Sequence, residues 1–231
     1  MVNNKIEASL LKLKERWKID ENVESILLGK RKAKDIQVEV NGVIFHIPML
    51  DNLYILWKCL WPECHNCCKN QARLPLTIVD IVNISKCLNI KKNELVSKEC
   101  RIAEWEEQEP FGPSVMITMP VLKRSESESN IDDGKPIKCR FLDEKGYCKL
   151  HPSRPGCCKL YPFTSWITLQ NNRPIINATF QFDGNCPGFY ATSSIEEMKS
   201  ILEEYAKIII EYNNAVSRTT REGYASITII E

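Results

Sequence analysis

Residues 59–68 read Cys59-Leu-Trp-Pro-Glu-Cys64-His-Asn-Cys67-Cys68, four thiols within ten residues. A stretch with a proline and no apolar periodicity describes neither a helix face nor a strand. It describes a turn-rich segment organised around whatever the sulfurs hold. A C-x2-C step lets one turn present two sulfurs to one metal centre while backbone amides point at the thiolates. The adjacent pair is harder to place. In extended backbone, neighbouring side chains point to opposite faces. Cys67 and Cys68 therefore either share a centre across a tight turn or feed two different centres, and the spacing leaves both open.

Working outward, a second group begins at Cys139-Arg-Phe-Leu-Asp-Glu-Lys-Gly-Tyr-Cys148-Lys-Leu-His151. It continues through Arg154-Pro-Gly-Cys157-Cys158-Lys-Leu-Tyr-Pro-Phe163 and ends at Cys186-Pro187-Gly188. A Cys-Pro step follows one type of ferredoxin ligand. Cys87 and Cys100 stand apart at helix-like spacing and read as buried thiols acting as small hydrophobes. The chain holds eleven cysteines. An odd count behind an opening (Met1 to Glu7) without the apolar core of a secretory signal argues against a disulfide framework. The expectation is a protein of the reducing cytoplasm whose crowded cysteines bind metal.

Composition narrows the class further. The 231 residues are 43% hydrophobic, enough for one good-sized core. Charged residues make up 26% with a net charge of +1, which gives no reason to expect nucleic acid, an anionic membrane surface or an acidic partner. No apolar run approaches membrane-spanning length. There is no G-x-G, no phosphate-binding loop and no H-E-x-x-H. Nothing in the sequence sets an oligomeric state.

The rest of the chain reads as an α+β protein. Residues 4–28 have the pattern of an amphipathic helix, with Ile6, Leu10, Leu13, Trp17 and Val23 near one stripe. Alternating runs on either side of Asn41-Gly42 predict a hairpin, and Thr164–Leu169 with Pro174–Phe180 predict another across Asn171-Asn172. Residues 50–75 read as irregular. Thr77 and Asp80 open a helix, a second covers 92–107, and Ser114 to Leu122 is a strand. The Ser- and acid-rich stretch from Arg124 is a solvated loop, and residues 137–150 are a hairpin turning at Glu144-Lys145-Gly146. Ser194 caps a C-terminal helix to about Tyr212, and a short strand over 226–230 closes the chain. The expected organisation is one domain of short hairpins and several helices about a metal-bound, loop-rich cysteine core. Residues 1–50 form an N-terminal helix and hairpin extension, 51–192 the cysteine-cluster domain, and 193–231 a helix packing on it.

Together these motifs resemble the YkgJ-like cysteine-cluster family, the CxxCxxCC family of zinc- or iron-chelating domains. The resemblance covers roughly residues 55–190. It rests on Cys64-His-Asn-Cys67-Cys68, Leu76-Thr77 and Asp80, Cys139-Arg-Phe-Leu, Gly146-Tyr-Cys148, Arg154-Pro155, Cys158-Lys-Leu-Tyr-Pro-Phe163 and Cys186-Pro-Gly. The family pattern has a cysteine three residues before the C-x2-C-C unit, where this chain has Trp61. Cys59, two residues earlier, is the substitute. Cys157 is an extra thiol beside the matched Cys158. The resemblance implies metal ligation by Cys64, Cys67, Cys68, Cys139, Cys148, Cys158 and Cys186, with Cys59 in the substituted place. It implies chelation and supplies no reaction, although flagellin lysine N-methylases resemble this cysteine pattern and add a protein methyltransferase as a third reading.

The metal follows from the ligand pattern. Structural zinc sites pair two short knuckles, and only one is present here. Thiolates from scattered positions suit a [4Fe–4S] cluster, one or two per chain, with zinc as the alternative. His65 and His151 read as supporting or surface residues. The two functional readings are an iron–sulfur redox protein, working with a redox or protein partner, and a zinc-stabilised binding or scaffold module.

Overall fold

The computed structural model describes residues 4–70, 73–108, 114–124, 137–181 and 185–222. Along the chain lie α1 (Asn4–Lys14), α2 (Glu21–Leu27), β1 (Lys34–Val40), β2 (Val43–Leu50), β3 (Leu53–Trp57) and the single helical turn α3 (Asn66–Lys69). Then come α4 (Ile78–Leu88), α5 (Lys92–Glu94) with a π-helical turn over Leu95–Glu99, β4 (Cys100–Gln108) and β5 (Ser114–Leu122). The last are α6 (Gly156–Leu160), β6 (Phe163–Gln170), β7 (Arg173–Phe180), β8 (Phe189–Thr192) and α7 (Ile195–Glu222). The α+β class is as the sequence predicts. Packing sorts the chain into two compact units, neither of them continuous in sequence: Met1–Cys67 with Tyr161–Ile210, and Cys68–Leu160 with Glu211–Glu231.

The first unit is built on a six-stranded sheet in the order β6-β7-β2-β3-β8, with β1 also pairing to β2. Two of the three expected hairpins lie in this sheet and form for the expected reason. Asn41 and Gly42 have φ of 52° and 82°, and Asn171 and Asn172 have 52° and 59°. Two consecutive positive-φ residues make the type I′ turn whose twist matches that of the strands. At the centre, β2 runs parallel to β7 from the Val43–Ile176 pair to His46–Thr179. Its inward side chains Val43, Phe45 and Ile47 are fully buried. Helix α7 supplies Met198, Leu202, Tyr205, Ala206 and Ile209 to the core, a stripe at helical spacing. The Tyr205 ring lies 4.4 Å from that of Phe163.

Residues 4–28 are two helices rather than one. Asp20 breaks the pattern: its Oδ1 accepts from the N–H groups of Asn22 and Val23 and so caps α2. Its Oδ2 accepts from Ala191 N–H of β8. Residues 53–57, expected to be irregular, form the buried strand β3.

The second unit holds α4, α5 and the β4–β5 hairpin. Thr77 and Asp80 form the capping box the sequence signals, and Asn89 ends α4 in the left-handed region at φ 53°. The helix expected over 92–107 stops at Glu99. From Cys100 the chain pairs with β5 through nine residues, from Cys100–Leu122 to Gln108–Ser114. The acidic, helix-favouring composition of 104–108 is overridden by that pairing. Leu76, Ile81, Ile84, Leu95 and Leu122 are fully buried in this unit's core. Residues 137–150 make turns and isolated bridges, Leu142–Cys148 among them, instead of two strands. Helix α7 continues past its expected end at Tyr212, to Glu222. The strand expected over 226–230 and the polar loop after Arg124 lie outside the described residues.

Candidate metal centre

All eleven cysteines are thiols outside any disulfide. Their grouping is set by the sheet in one unit and by turns in the other.

In the first unit, the β3–β8 ladder ends at the Trp57–Phe189 pair. One step further, Lys58 N–H donates to the Gly188 carbonyl at 2.9 Å. The chain then leaves β3 into Cys59, while Cys186 is the approach to β8. Gly188 is required by this close approach: a Cβ there would collide with the Lys58 carbonyl oxygen and stand 3.1 Å from Trp57 Nε1. The Trp57 indole N–H donates to Cys186 Sγ at 3.0 Å. The Cys64–Cys67 knuckle is tied to the same place, because Asn66 Nδ2 donates to the Asn185 carbonyl at 3.1 Å. Arg16 anchors its other side through the Glu63 carbonyl at 3.0 Å.

Electrostatics group the same residues. Burial pushes the Cys186 thiol up to about 11, with Cys64 and Cys67 adding to the rise, while the Gly188 N–H and Trp57 oppose it. Burial also raises Cys64, which feels Cys67 and Cys59, while the Asn66 N–H and Arg16 pull it down. Cys59 and Cys67 are exposed and Cys64 and Cys186 half-buried.

In the second unit, Cys139 N–H donates to the Cys68 carbonyl at 2.8 Å. The turn from Cys139 is closed by Leu142 N–H on the Cys139 carbonyl and Lys149 N–H on the Phe141 carbonyl. Cys148 follows at the Leu142 bridge. Burial raises Cys139 to about 11, with Cys158 and Cys148 contributing, and raises Cys148, which also feels Cys158. Cys158 sits in α6 beside Cys157. Adjacent residues on a helical turn point about 100° apart. Both Cys139 and Cys148 sense Cys158.

Four of these thiols share one local device. Backbone N–H groups two residues on are aimed at Cys64, Cys139, Cys148 and Cys186: those of Asn66, Phe141, Leu150 and Gly188. Amide donors favour the charged thiolate, whereas burial among other thiols disfavours it. A bound cation removes that conflict, and this donor chemistry fits a metal–thiolate centre. Among the described residues, no three Cys, His, Asp or Glu side chains are drawn together tightly enough to hold an ion as they stand.

Some residues fall outside the sets, and some contributors were not signalled. Cys100 is buried in the second core, as expected, and pushed up to about 12 by that burial. Cys87 is exposed rather than buried, its Sγ 3.7 Å from the Lys149 carbonyl. His46 pairs with Asn177 at 3.1 Å, His65 is half-buried within the knuckle, and His151 is exposed. Trp57 was not foreseen as a donor to sulfur. Nor was the reach of Asp80, whose Oδ2 accepts from Thr77 N–H and Oγ1 while its Oδ1 accepts from Gly156 N–H at 2.8 Å. Asp80 thereby joins the start of α4 to the start of α6, which carries Cys157 and Cys158. Its carboxyl, only 6% exposed, is raised by burial against the pull of Thr77, Gly156 and Lys159. A buried acid in a capping box is a usable signal; its second partner 76 residues away is not.

Thiols gathered this way define a metal-binding cysteine-cluster protein. The family model "CxxCxxCC: Putative zinc- or iron-chelating domain" matches residues 58–187, more than half of the chain, and the protein belongs to that family. No curated protein and no solved structure matches the chain. Among the described residues, no helix is long and apolar enough to cross a membrane.

Proposed function

We propose that this is an iron–sulfur protein of the cytoplasm that moves electrons or holds a cluster for a protein partner. Its ligands are Cys59, Cys64, Cys67, Cys68, Cys139, Cys148, Cys158 and Cys186. The observation that carries the reading is the donor set. Among the thiols that sense one another, Cys64, Cys139, Cys148 and Cys186 are backed by backbone amides. All-thiolate ligation with N–H groups directed at sulfur suits [4Fe–4S] clusters, whose potentials are set by those hydrogen bonds and by solvent exposure. When bound, the cluster supplies one-electron chemistry. The chain's own residues would hold it, with Trp57 donating to Cys186 Sγ and Gly188 letting the two strand ends approach.

The zinc reading has one observation in its favour: thiolates on amide-backed turns are also what a structural four-cysteine zinc site uses. Purification without oxygen, followed by an absorption spectrum and metal analysis, decides between them. A brown protein with broad absorbance near ~400 nm and bound sulfide is expected. A colourless protein with stoichiometric zinc overturns the iron–sulfur reading.

A further inference from the structure

The sequence shows an early cysteine group ending in Cys67-Cys68 and a later group running from Cys139 to Cys186. The structure re-sorts them. Cys186, last in sequence, belongs with the early group: the Lys58–Gly188 hydrogen bond, the Trp57–Cys186 contact and the Asn66–Asn185 bond hold it beside the segment from Cys59 to Cys67. Cys68 belongs with the later group, its carbonyl taken by Cys139 N–H. The boundary between the compact units falls between Cys67 and Cys68. Both lie on the single turn α3, where consecutive side chains diverge by about 100°.

We infer that the chain carries two separate four-thiolate centres, one of Cys59, Cys64, Cys67 and Cys186 and one of Cys68, Cys139, Cys148 and Cys158, and that the Cys-Cys step divides its two sulfurs between them. The inference rests on the metal–thiolate reading above. Each set is complete for one centre, because four thiolates satisfy either a tetrahedral ion or a cubane cluster. Each also lies within one unit, so neither centre needs a ligand from the other.

The test uses the full chain, reconstituted without oxygen from a mixture of ferric and ferrous iron with sulfide. Iron and sulfide are counted per chain in wild type and in Cys67→Ser, Cys68→Ser, Cys186→Ser and Cys148→Ser. Wild type should hold about eight iron, as two [4Fe–4S] clusters require. Each single variant should lose about half. The residual spectrum should be the same for Cys67→Ser and Cys186→Ser, and different from the one shared by Cys68→Ser and Cys148→Ser. About four iron in wild type overturns the inference without any variant, which covers the case of a variant that fails to fold. So does loss of the same half in Cys67→Ser and Cys68→Ser. If the protein takes zinc and no iron, the iron–sulfur reading fails by itself. Two zinc per chain then still support two centres, and one zinc refutes them.

Discussion

The two cysteine sets are held by different kinds of structure. The set in the first unit hangs on the end of a sheet ladder: the β3–β8 register brings the segment leaving β3 and the segment entering β8 together, and Gly188 and Trp57 fix the approach. Among the described residues, the set in the second unit is joined by the isolated Leu142–Cys148 bridge and by no ladder. Turns, a helix of five residues and the buried carboxylate of Asp80 do the positioning there. Exposure differs as well, since Cys59 and Cys67 face solvent while Cys139 is buried against a hydrophobic core. A ladder transmits position through many parallel hydrogen bonds, so losing one matters little. A turn-built site depends on a few. The sheet-borne set should therefore keep its arrangement when metal is removed, and the turn-borne set should lose it.

That contrast can be broken in several ways. The largest effect should come from removing metal altogether. Chelation under reducing conditions should lower Tm by more than ~10 °C, because ligand binding energy is folding energy when the site has no other reason to close. Hydrogen exchange should rise most around residues 139–158. Equal protection in both units, or an unchanged Tm, would break the comparison.

Next are the ligands of the turn-borne set. Cys158→Ser should strip the metal of that set. Cys157→Ser should keep most of it, with affinity reduced by no more than about 10–100-fold, as for residues that only support a ligand. Metal content after parallel purification separates the two. Equal loss would mean that the pair ligates jointly.

Gly188→Ala probes the ladder end. The new methyl meets a backbone carbonyl that cannot move aside, so a cost of about 2–3 kcal/mol is expected, or roughly 5–10 °C in Tm. Metal loss should be confined to the half that depends on Cys186. Asp80→Asn probes the turns. An amide offers one acceptor oxygen where the carboxylate serves Thr77 and Gly156 with two, leaving a donor unpaired at about 1–2 kcal/mol. The metal lost should be the half that depends on Cys148. If each variant disturbed both halves, the units would not be independent.

The smallest effect is that of Trp57→Phe, which deletes one N–H donor to Cys186 Sγ and costs about 1 kcal/mol. Its clearest readout is a shift in the spectrum of one centre with metal content unchanged.

What could be read in advance was local. Asn41-Gly42, Asn171-Asn172 and the Thr77–Asp80 box specify their own backbone, and each does what its chemistry requires. Asp20 was equally legible as a cap, with Glu21 and Glu24 following it, but the apolar stripe running through it suggested one long helix. The apolar run from Leu53 to Trp57 shows no alternation, so periodicity could not mark it as a strand. Residues 100–108 were lost to composition, because Ala103, Glu104, Glu106 and Glu107 favour helix until β5 lies alongside. The membership of the metal-chelating family was readable from cysteine spacing. The sorting of those cysteines was not, because it depends on Trp57 meeting Phe189 across a gap no local pattern spans.

The interleaved path of the chain also sets a timetable. A protein made from its N-terminus produces Cys59, Cys64 and Cys67 first, yet their fourth partner, Cys186, is made last. The other set is complete at Cys158, 28 residues earlier. At typical synthesis rates that interval is on the order of a few seconds. The later-starting set is thus the first able to capture metal on the ribosome, while three older thiols wait for their fourth ligand. A nascent chain stalled just after Cys158 has emerged should hold metal at one site and carry three thiols open to alkylation.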